Sequence, residues 1–336
     1  MPDRPDLKFK ALVARKTDDG NTTLSVEERQ TSDLPDHNVL IRVHYSSLNY
    51  KDALSATGNP GVTKSYPHTP GIDAAGVVEW SDDKRFGTGD NVLVTGYDLG
   101  QNTAGGFGEY VCVPAGWVVR LPEGLTLRES MILGTAGFTA ALGVQKIMEQ
   151  EVDTERGAVL VTGATGGVGS LAVAILSRAG YTVIAVTGKR DQTSFLKELG
   201  ASEVISRSDV TDVPEVPLLS SRWAAAIDTV GGEMLDAVLR QTGHNGVVAC
   251  CGNILGGKLE TSIYPLILRG VSLMGIDSGN CMMEERLQIW KNLAGAWKPS
   301  NLEVISRNCT LDDLPGEIEK ILQGGQAGRV LVTLRD

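Results

Sequence analysis

Apolar and polar positions alternate in different ways along the chain and divide it into three regions. From Lys8 to about Arg120, short β-type runs are separated by Gly and Pro turns, and helix signals are sparse. The clearest runs are Val39–Tyr45, Ala74–Glu79, Asn91–Thr95 and Glu109–Val113. Short runs rich in Val and Ile that are bounded by turn residues are typical of strands. This region therefore predicts a compact, mostly β domain.

From about Arg128 to Gly279 the pattern changes to short apolar strands separated by helical segments. The predicted strands are Ala158–Thr162, Tyr181–Val186, Glu203–Ile205, Ala224–Thr229, Gly246–Cys250 and Val271–Ile276. The helices between them are Val168–Ala179, Asp191–Leu199 and Glu233–Gln241. Strands that alternate with helices in this order predict an α/β fold with a doubly wound, Rossmann-type parallel sheet.

The tail beyond Gly279 returns to a mixed pattern. Its predicted elements are a helix, a strand, a helix and a strand: Met283–Leu293, Leu302–Ser306, Leu314–Leu322 and Arg329–Leu334. A β-rich start and a tail that returns to strands suggest that the nucleotide domain is inserted into a discontinuous first domain. We expect a β-rich catalytic domain at residues 1–127 and 280–336, and a nucleotide-binding domain at residues 128–279.

The charge balance limits the class of partner. The chain has 336 residues, with 31 Lys and Arg against 41 Asp and Glu, and its formal net charge is −10. A protein this acidic has no general attraction for polyanions, so nucleic acid is a poor partner. A small phosphorylated ligand is still compatible, because a few well-placed cations suffice to bind it.

Cysteine spacing and hydropathy indicate a cytoplasmic protein without a membrane span. The five cysteines include no pair at C-x-x-C spacing, which favours reduced thiols. Residues Gly157–Ser177 carry no charge and are long enough to cross a bilayer. However, a cluster of glycines breaks this stretch into a strand, a loop and a helix, so we do not interpret it as a membrane span.

The strongest motif is the glycine-rich stretch Val161–Gly169, which reads VTGATGGVG. It follows a predicted strand and opens a predicted helix, which is the context of a dinucleotide-binding fingerprint. Such a turn lets the backbone approach a pyrophosphate, and the helix N-terminus offers free N–H groups to the phosphates. The usual G-x-G-x-x-G pattern has Ala164 in its first position here. The alternative is a glycine-rich turn that binds nothing.

The end of the second Rossmann strand favours NADPH over NADH. An NAD enzyme typically carries Asp or Glu at this point, about 20 residues beyond the first glycines, to bind the ribose 2′-hydroxyl. Here the strand runs into Thr187, Gly188, Lys189 and Arg190, with no carboxylate at its tip. A hydroxyl, a glycine N–H and two cations suit a 2′-phosphate. The alternative is a solvated basic turn.

A zinc site finds no support in the sequence, although the combination of a β-rich and a Rossmann-type domain also occurs in zinc alcohol dehydrogenases. Tetrahedral zinc needs clustered Cys, His and carboxylate ligands. The histidines His37, His44, His68 and His244 are scattered, and none has a nearby Cys. We therefore predict no metal.

The segment Ser46–Asp52 follows a predicted strand and is dense in polar side chains. Tyr50 carries a phenol that could donate a hydrogen bond or a proton. Asn49 and Asp52 could orient that phenol or the nicotinamide. These three residues are the candidate catalytic group. The alternative is an ordinary polar loop.

Six blocks, taken in order, resemble the medium-chain dehydrogenase/reductase superfamily. They are Ser47–Ala53, Pro70–Gly76, Gly134–Thr139, Thr162–Gly169, Leu199–Ala201 and Ala226–Gly231. The resemblance covers nearly the whole chain. Within the superfamily, the blocks are most similar to the acryloyl-CoA reductase branch, which is often labelled quinone oxidoreductase-like.

This resemblance implies a GroES-like β-rich domain, a Rossmann-type domain, NADPH in the cleft between the two domains and a zinc-independent site. Zinc relatives carry a Gly-His-Glu ligand motif, where this chain has Gly71, Ile72 and Asp73. The cofactor contacts that the resemblance implies are Tyr50, Thr165, Gly166, Gly167, Val168, Thr187, Gly188, Lys189, Arg207, Asn253, Ile267 and Ser278. The position of Asn253 is apolar in the family, so we expect that contact through the backbone only.

The expected reaction is hydride transfer from NADPH to the β-carbon of acryloyl-CoA or another 2-enoyl thioester, with Tyr50 or a water protonating the α-carbon. An alternative is reduction of a quinone, enal or enone at the same site. Alcohol oxidation is disfavoured by the missing zinc ligands. A nucleic-acid-binding or structural role is a non-enzymatic alternative. Relatives in the family dimerise across the strand that matches Val271–Ile276, so we expect a homodimer.

Overall fold

The computed structural model describes residues 4–335. Contacts within the chain divide it into two compact units. The first unit runs to Thr135 and also contains Gly279–Ala294 and the residues from Asn301 onward. The second unit contains Ala136–Ser278 and Gly295–Ser300. The assignment of residues 1–127 and 280–336 to catalysis, and of residues 128–279 to the cofactor, stays a prediction.

Strands and helices alternate along both units. The strands are β1 (Lys8–Lys16), β2 (Thr22–Gln30), β3 (Val39–Leu48), β4 (Asp73–Ser81), β5 (Asn91–Thr95), β6 (Tyr110–Val113), β7 (Val119–Arg120), β8 (Val159–Val161), β9 (Val183–Thr187), β10 (Glu203–Ser206), β11 (Trp223–Asp228), β12 (Thr242–Cys250), β13 (Ser272–Gly275), β14 (Ser306–Cys309) and β15 (Arg329–Thr333). The helices are α1 (Tyr50–Ala56), α2 (Leu127–Glu149), α3 (Gly167–Arg178), α4 (Thr193–Glu198), α5 (Ser208–Thr211), α6 (Gly232–Gln241), α7 (Tyr264–Arg269), α8 (Met283–Ala294) and α9 (Leu314–Leu322).

A mainly antiparallel seven-stranded sheet forms the framework of the first unit. Its order is β14-β15-β3-β4-β5-β7, and β6 also pairs with β3. Successive side chains of β3 point to opposite faces, so Val39 and Ile41 pack in one apolar cluster and Leu40 packs in another. Strand β15 pairs antiparallel with the end of β3 and places Val330 opposite Leu48. This register brings the start of β15 close to the turn that follows β3.

The second unit contains a six-stranded parallel sheet in the order β10-β9-β8-β11-β12-β13. This is the order of a doubly wound dinucleotide-binding fold, so the predicted Rossmann-type class is confirmed. Every residue of β8 and β11 is buried. Central parallel strands are buried on both faces, which explains why their sequences are continuously apolar. The loops that follow β8, β9 and β11 lie at the carboxyl edge of the sheet.

One helix was not predicted, and one predicted strand was wrong. The polar segment after β3 contains helix α1, because Asn49 caps it and the Asp52 carboxylate accepts the Asn49 N–H at 2.8 Å. The predicted strand Leu302–Ser306 is mostly a 3₁₀ turn, and the strand β14 begins only at Ser306. Leu302 and Ile305 are both buried, and a spacing of three residues places both on one side of such a turn.

Among the described residues, one helix is long and apolar enough to cross a membrane by length and composition. This is α2, and 78% of its most apolar window is buried inside the fold. Its backbone is also interrupted at Gly134, which has φ 51° and ψ −156°. A helix this deeply covered by its own chain is weak support for a membrane span. The uncharged stretch Gly157–Ser177 is divided between β8, a loop and α3.

Candidate active site

The glycine-rich stretch forms a tight turn between β8 and α3. Helix α3 begins at Gly167, and its N-cap Gly166 gives it no side-chain cap. The first N–H groups of a helix have no partner within the helix, so they can bind an anion. A Cβ atom at Gly163, which has φ 56°, would lie 2.4 Å from the Thr229 Oγ. A Cβ atom at Gly169 would lie 2.3 Å from the Gly163 carbonyl oxygen, so the turn requires glycine at both positions.

The ends of β9 and β10 bring Gly188 and Arg207 together. Thr187 pairs with Ser206 in the parallel register, and the next residue of each strand is Gly188 or Arg207. A Cβ atom at Gly188 would lie 3.0 Å from Arg207 Nε, so the guanidinium lies directly against this glycine. Within residues 4–335, no carboxylate forms an ion pair with Arg207. The chemistry of this group fits a 2′-phosphate, for which a free guanidinium is a suitable donor.

Other residues of the predicted cofactor site lie in the same unit. Thr165 is buried, and its Oγ lies 3.4 Å from the Thr187 Oγ, which links the glycine-rich turn to the end of β9. Ser278 Oγ accepts a hydrogen bond from Thr139 Oγ at 2.8 Å. Ile267 is 63% exposed on α7. Lys189, Arg190 and Asn253 lie on partly or fully exposed turns, and Val168 in the first turn of α3. Their contacts with a cofactor stay predictions.

In the first unit, Tyr50 begins α1 and is 40% exposed. Its hydroxyl makes no hydrogen bond to any other described residue, so it is available to a ligand. The neighbouring Asn49 is buried, and its side-chain amide donates to Asp73 at 2.8 Å and accepts from Arg329 at 3.1 Å. Asp52 is fully buried. Direct contact of Asn49 or Asp52 with a substrate is therefore not supported, and both residues are placed to hold the backbone that carries Tyr50.

A cluster of buried charges lies beneath the Tyr50 turn. The Asp73 carboxylate accepts hydrogen bonds from Ser47 Oγ at 2.6 Å and from Thr135 Oγ at 2.6 Å. The Arg329 guanidinium is 3.8 Å from Asp73, and it donates to Ser47 Oγ at 2.7 Å and to the Leu48 carbonyl at 3.2 Å. Asp73 comes from the first segment of the unit, and Arg329 comes from its last segment. Together they fix the end of β3 and the turn after it.

The cluster contains more carboxylate than guanidinium, which affects Asp52. Its carboxylate accepts N–H groups from Asn49 and Ile72, both at 2.8 Å. Burial, followed by the charge of Asp73, raises the pKa of Asp52 to about 7, against the effect of these N–H bonds. Burial also lowers the pKa of Arg329, while the two carboxylates oppose this. The cluster can therefore hold or release a proton near neutral pH.

Sequence reasoning missed Asp73 and Arg329 as parts of this cluster, and it missed a buried carboxylate in the second unit, Asp228, at the end of β11. Each is an isolated charged residue in an apolar run: Asp73 precedes AAGVV, Asp228 ends WAAAID and Arg329 begins RVLVT. A charged residue at the edge of a buried strand usually has a buried partner. That signal could have identified all three residues but not their partners.

Two family models match the chain, and both fit this layout. The model described as alcohol dehydrogenase GroES-like domain matches residues 35–123, and the model described as zinc-binding dehydrogenase matches residues 167–294. The chain therefore belongs to the medium-chain dehydrogenase/reductase superfamily, in the branch that contains acrylyl-CoA reductases and quinone oxidoreductase-like proteins.

Several relatives of this branch are similar over almost their full length. The acrylyl-CoA reductase AcuI of Ruegeria pomeroyi is 43% identical over 96% of this chain and 98% of its own. The solved structure of the yhdH oxidoreductase from Salmonella enterica in complex with NADP is 42% identical, with a TM-score of 0.94 over 97% of this chain and 100% of that one. The Bacillus subtilis protein yhfP with NAD bound is 45% identical, with a TM-score of 0.95 over 98% of this chain and 100% of that one.

The description of the second family model raises the question of zinc, which the residues of this chain do not fit. Within residues 4–335, no group of three or more His, Cys, Asp or Glu could hold a metal ion. At the position of the ligand motif, Asp73 is already engaged by Ser47, Asn49 and Thr135. We therefore assign no step to a metal, and the prediction of a zinc-independent enzyme needs a direct test.

Proposed function

We propose that this protein is an NADPH-dependent reductase of an activated carbon–carbon double bond, with acryloyl-CoA as the substrate and propionyl-CoA as the product. The observation that carries the proposal is the 43% identity with an acrylyl-CoA reductase over almost the full length of both chains. The glycine-rich turn and the Gly188–Arg207 pair add independent support, because they fit the pyrophosphate and the 2′-phosphate of NADPH.

When bound, NADPH supplies a hydride to the β-carbon of the thioester. The chain binds and orients the reactants. The backbone at Gly166 and Gly167 would hold the pyrophosphate, and Arg207 would hold the 2′-phosphate. As negative charge moves to the thioester oxygen, a proton must reach the α-carbon to complete the reduction. We assign the delivery of this proton to the exposed hydroxyl of Tyr50, which Asn49 and the buried cluster hold in place.

Reduction of a quinone or a free enone is the second candidate. It is favoured by the similarity to YhfP, a quinone oxidoreductase-like protein that is 46% identical over 97% of this chain. The two substrates differ in a way that an assay can use. An acyl-CoA carries phosphates that require cationic contacts, whereas a quinone requires an apolar pocket.

The proposed function is tested by steady-state kinetics of the purified protein with acryloyl-CoA and with a benzoquinone, each with NADPH and with NADH. We expect kcat/KM to be highest for acryloyl-CoA with NADPH and at least about tenfold lower with NADH, because NADH lacks the 2′-phosphate to which Arg207 would donate a charge-assisted hydrogen bond. Arg207→Ala should reduce this cofactor preference. A higher kcat/KM for the quinone would support the second candidate instead.

Exhaustive dialysis against EDTA serves as the metal test in the same assay. Activity with acryloyl-CoA should be unchanged after dialysis, and elemental analysis should find no stoichiometric zinc. Zinc at one atom per chain, with activity lost on its removal, would contradict the prediction that residues 71–73 replace the zinc-ligand motif of the relatives.

A gel-shift assay with RNA should show no binding at physiological salt, since the net charge is −10.

We also propose that the protein is a cytoplasmic homodimer. Strand β13 is an edge strand of the parallel sheet. Large apolar residues are exposed on it and on the segment before it: Ile254, Leu255, Leu259, Ile263, Tyr264, Ile267, Leu268 and Leu273. An exposed apolar edge can pair with another strand, and a second copy of this edge would cover it. All five cysteines are free thiols, as is usual in the cytoplasm.

Light scattering tests the assembly. The wild-type protein should have a dimeric mass at micromolar concentration, and Leu273→Glu should shift it toward the monomer because a charge on an edge strand opposes pairing. Leu287→Glu is the matched control, since Leu287 is 49% exposed on α8 in the other unit. A monomeric wild type would rule the dimer out.

A further inference from the structure

Three loops at the carboxyl edge of the parallel sheet are joined through Asp228, the last residue of β11. This side chain is fully buried. Its Oδ1 accepts a hydrogen bond from Thr162 Oγ at 2.7 Å, and its Oδ2 accepts one from the Gly231 N–H at 2.7 Å. Its backbone carbonyl accepts the Cys251 N–H at 2.9 Å. Thr162 begins the glycine-rich turn, Gly231 lies in the turn before α6, and Cys251 begins the loop after β12.

Thr229, the next residue, completes the connection. Its N–H donates to Thr162 Oγ at 3.0 Å, and its own Oγ donates to the Thr162 carbonyl at 2.9 Å. A Cβ atom at Gly252 would lie 1.9 Å from the Thr229 carbonyl oxygen. Since a Cβ atom at Gly163 would lie 2.4 Å from the Thr229 Oγ, Thr229 is enclosed between the glycine-rich turn and the loop that contains Asn253. We call Thr162, Asp228 and Thr229 the loop clasp.

The clasp includes a charge that packing alone does not require. No Lys, Arg or His of the described chain forms an ion pair with Asp228, and burial raises the pKa of its carboxyl group. A buried carboxylate without a cation is costly, and its hydrogen bonds offset that cost only while every partner stays in place. A carboxylate can accept hydrogen bonds from two loops at once, whereas an apolar side chain of similar size could not link the loops by hydrogen bonds.

We propose that Asp228 is a positioning residue that, through Thr162 and Thr229, holds the glycine-rich turn in the shape that receives the pyrophosphate of the dinucleotide. The proposal rests on the proposed NADPH-dependent function. The clasp itself touches no reacting atom. It acts by keeping the backbone N–H groups at Gly166 and Gly167 aimed at one point before the dinucleotide binds, so that less ordering is needed on binding.

Isothermal titration calorimetry of the full-length protein with NADPH tests the clasp. Thr162→Val keeps the β-branched shape but removes the hydroxyl that joins Asp228 to the turn. We expect it to raise the Kd for NADPH by about tenfold, since it leaves a buried carboxylate oxygen without its donor. The Kd for adenosine 2′-monophosphate, which lacks the pyrophosphate, should stay unchanged, because that fragment requires only the ends of β9 and β10.

Thr242→Val is the matched control. Thr242 is also buried, and its Oγ donates to the Val238 carbonyl at 2.8 Å and accepts from Trp223 Nε1 at 3.1 Å. It lies at the start of β12, whereas the loop that Asp228 contacts follows the end of this strand. It should lower thermal stability without changing the Kd for NADPH. If Thr162→Val does not fold, the Kd values for NADPH and for adenosine 2′-monophosphate are measured with Asp228→Asn instead. A folded clasp variant with the wild-type Kd would overturn the proposal, whereas a wild type that does not bind NADPH would overturn the proposed function.

Discussion

Replacing Tyr50 with Phe is expected to lower kcat for the reduction of acryloyl-CoA by about 10²–10⁴-fold, the usual range for the loss of a positioned general acid. The ring and its packing are retained, and only the hydroxyl is removed. Because the Tyr50 hydroxyl has no hydrogen bond to any described residue, its removal leaves no protein group without a partner. The expected loss is therefore in the chemical step and not in folding.

Steady-state kinetics over a range of NADPH concentrations measures this loss, and a solvent-deuterium isotope effect on kcat should be present in the wild type and altered in the variant. Tyr45→Phe is the control, since Tyr45 is a partly exposed tyrosine on β3 of the same unit. An unchanged kcat with a raised KM for NADPH would limit Tyr50 to cofactor contact. No change in either constant would remove Tyr50 from the site.

Replacing Arg329 with Met is expected to lower the free energy of unfolding by about 3–5 kcal/mol, because it leaves buried carboxylates without their cation. Arg329 is 2% exposed and donates to the Ile132 carbonyl on α2 and to the Asn49 side chain before Tyr50. Urea unfolding followed by tryptophan fluorescence gives the loss. Arg15→Met is the control, since Arg15 pairs with Glu27 on the surface and should contribute little. Equal losses in the two variants would contradict the role of the buried cluster.

The same cluster predicts how stability depends on pH. The pKa of Asp52 is raised to about 7 in the folded chain, compared with about 3.9 for an ordinary Asp. Between these values the folded chain holds a proton that the unfolded chain has released, so the contribution of Asp52 to stability falls as the pH rises from about 4 through 7. The difference in unfolding free energy between the wild type and Asp52→Asn should decrease over this range. If the unfolding free energies of the two proteins changed with pH in parallel, Asp52 would not titrate between pH 4 and 7.

The parts of this protein that could be predicted from sequence are those with a local signal. The parallel strands are continuous apolar runs between helices, and the glycine-rich turn carries its own steric requirement at Gly163 and Gly169. Gly188 was predicted from the end of its strand, but Arg207 was reached only through resemblance, because it follows a different strand. Their closeness depends on the register of β9 and β10, which no local pattern specifies.

The buried clusters could not be predicted because each partner is a single residue far from the others in sequence. Asp73 and Arg329 meet only because β4 and β15 flank β3 in the same sheet. Asp228 meets Thr162 because β11 lies next to β8. Helix α1 was missed for a different reason. A short polar segment has no apolar periodicity, and its formation depends on one capping interaction and on the charges packed beneath it.

The order of the two units along the chain determines when the Tyr50 turn can be completed during synthesis. Asp52 and Asp73 are translated before the second unit, and Arg329 is translated after it. The continuous segment Ala136–Ser278, with its whole parallel sheet, is therefore synthesised after the two carboxylates and before their cation. A ribosome that stops just after the second unit would release a chain that contains the whole parallel sheet but lacks Arg329, the cation beneath the Tyr50 turn.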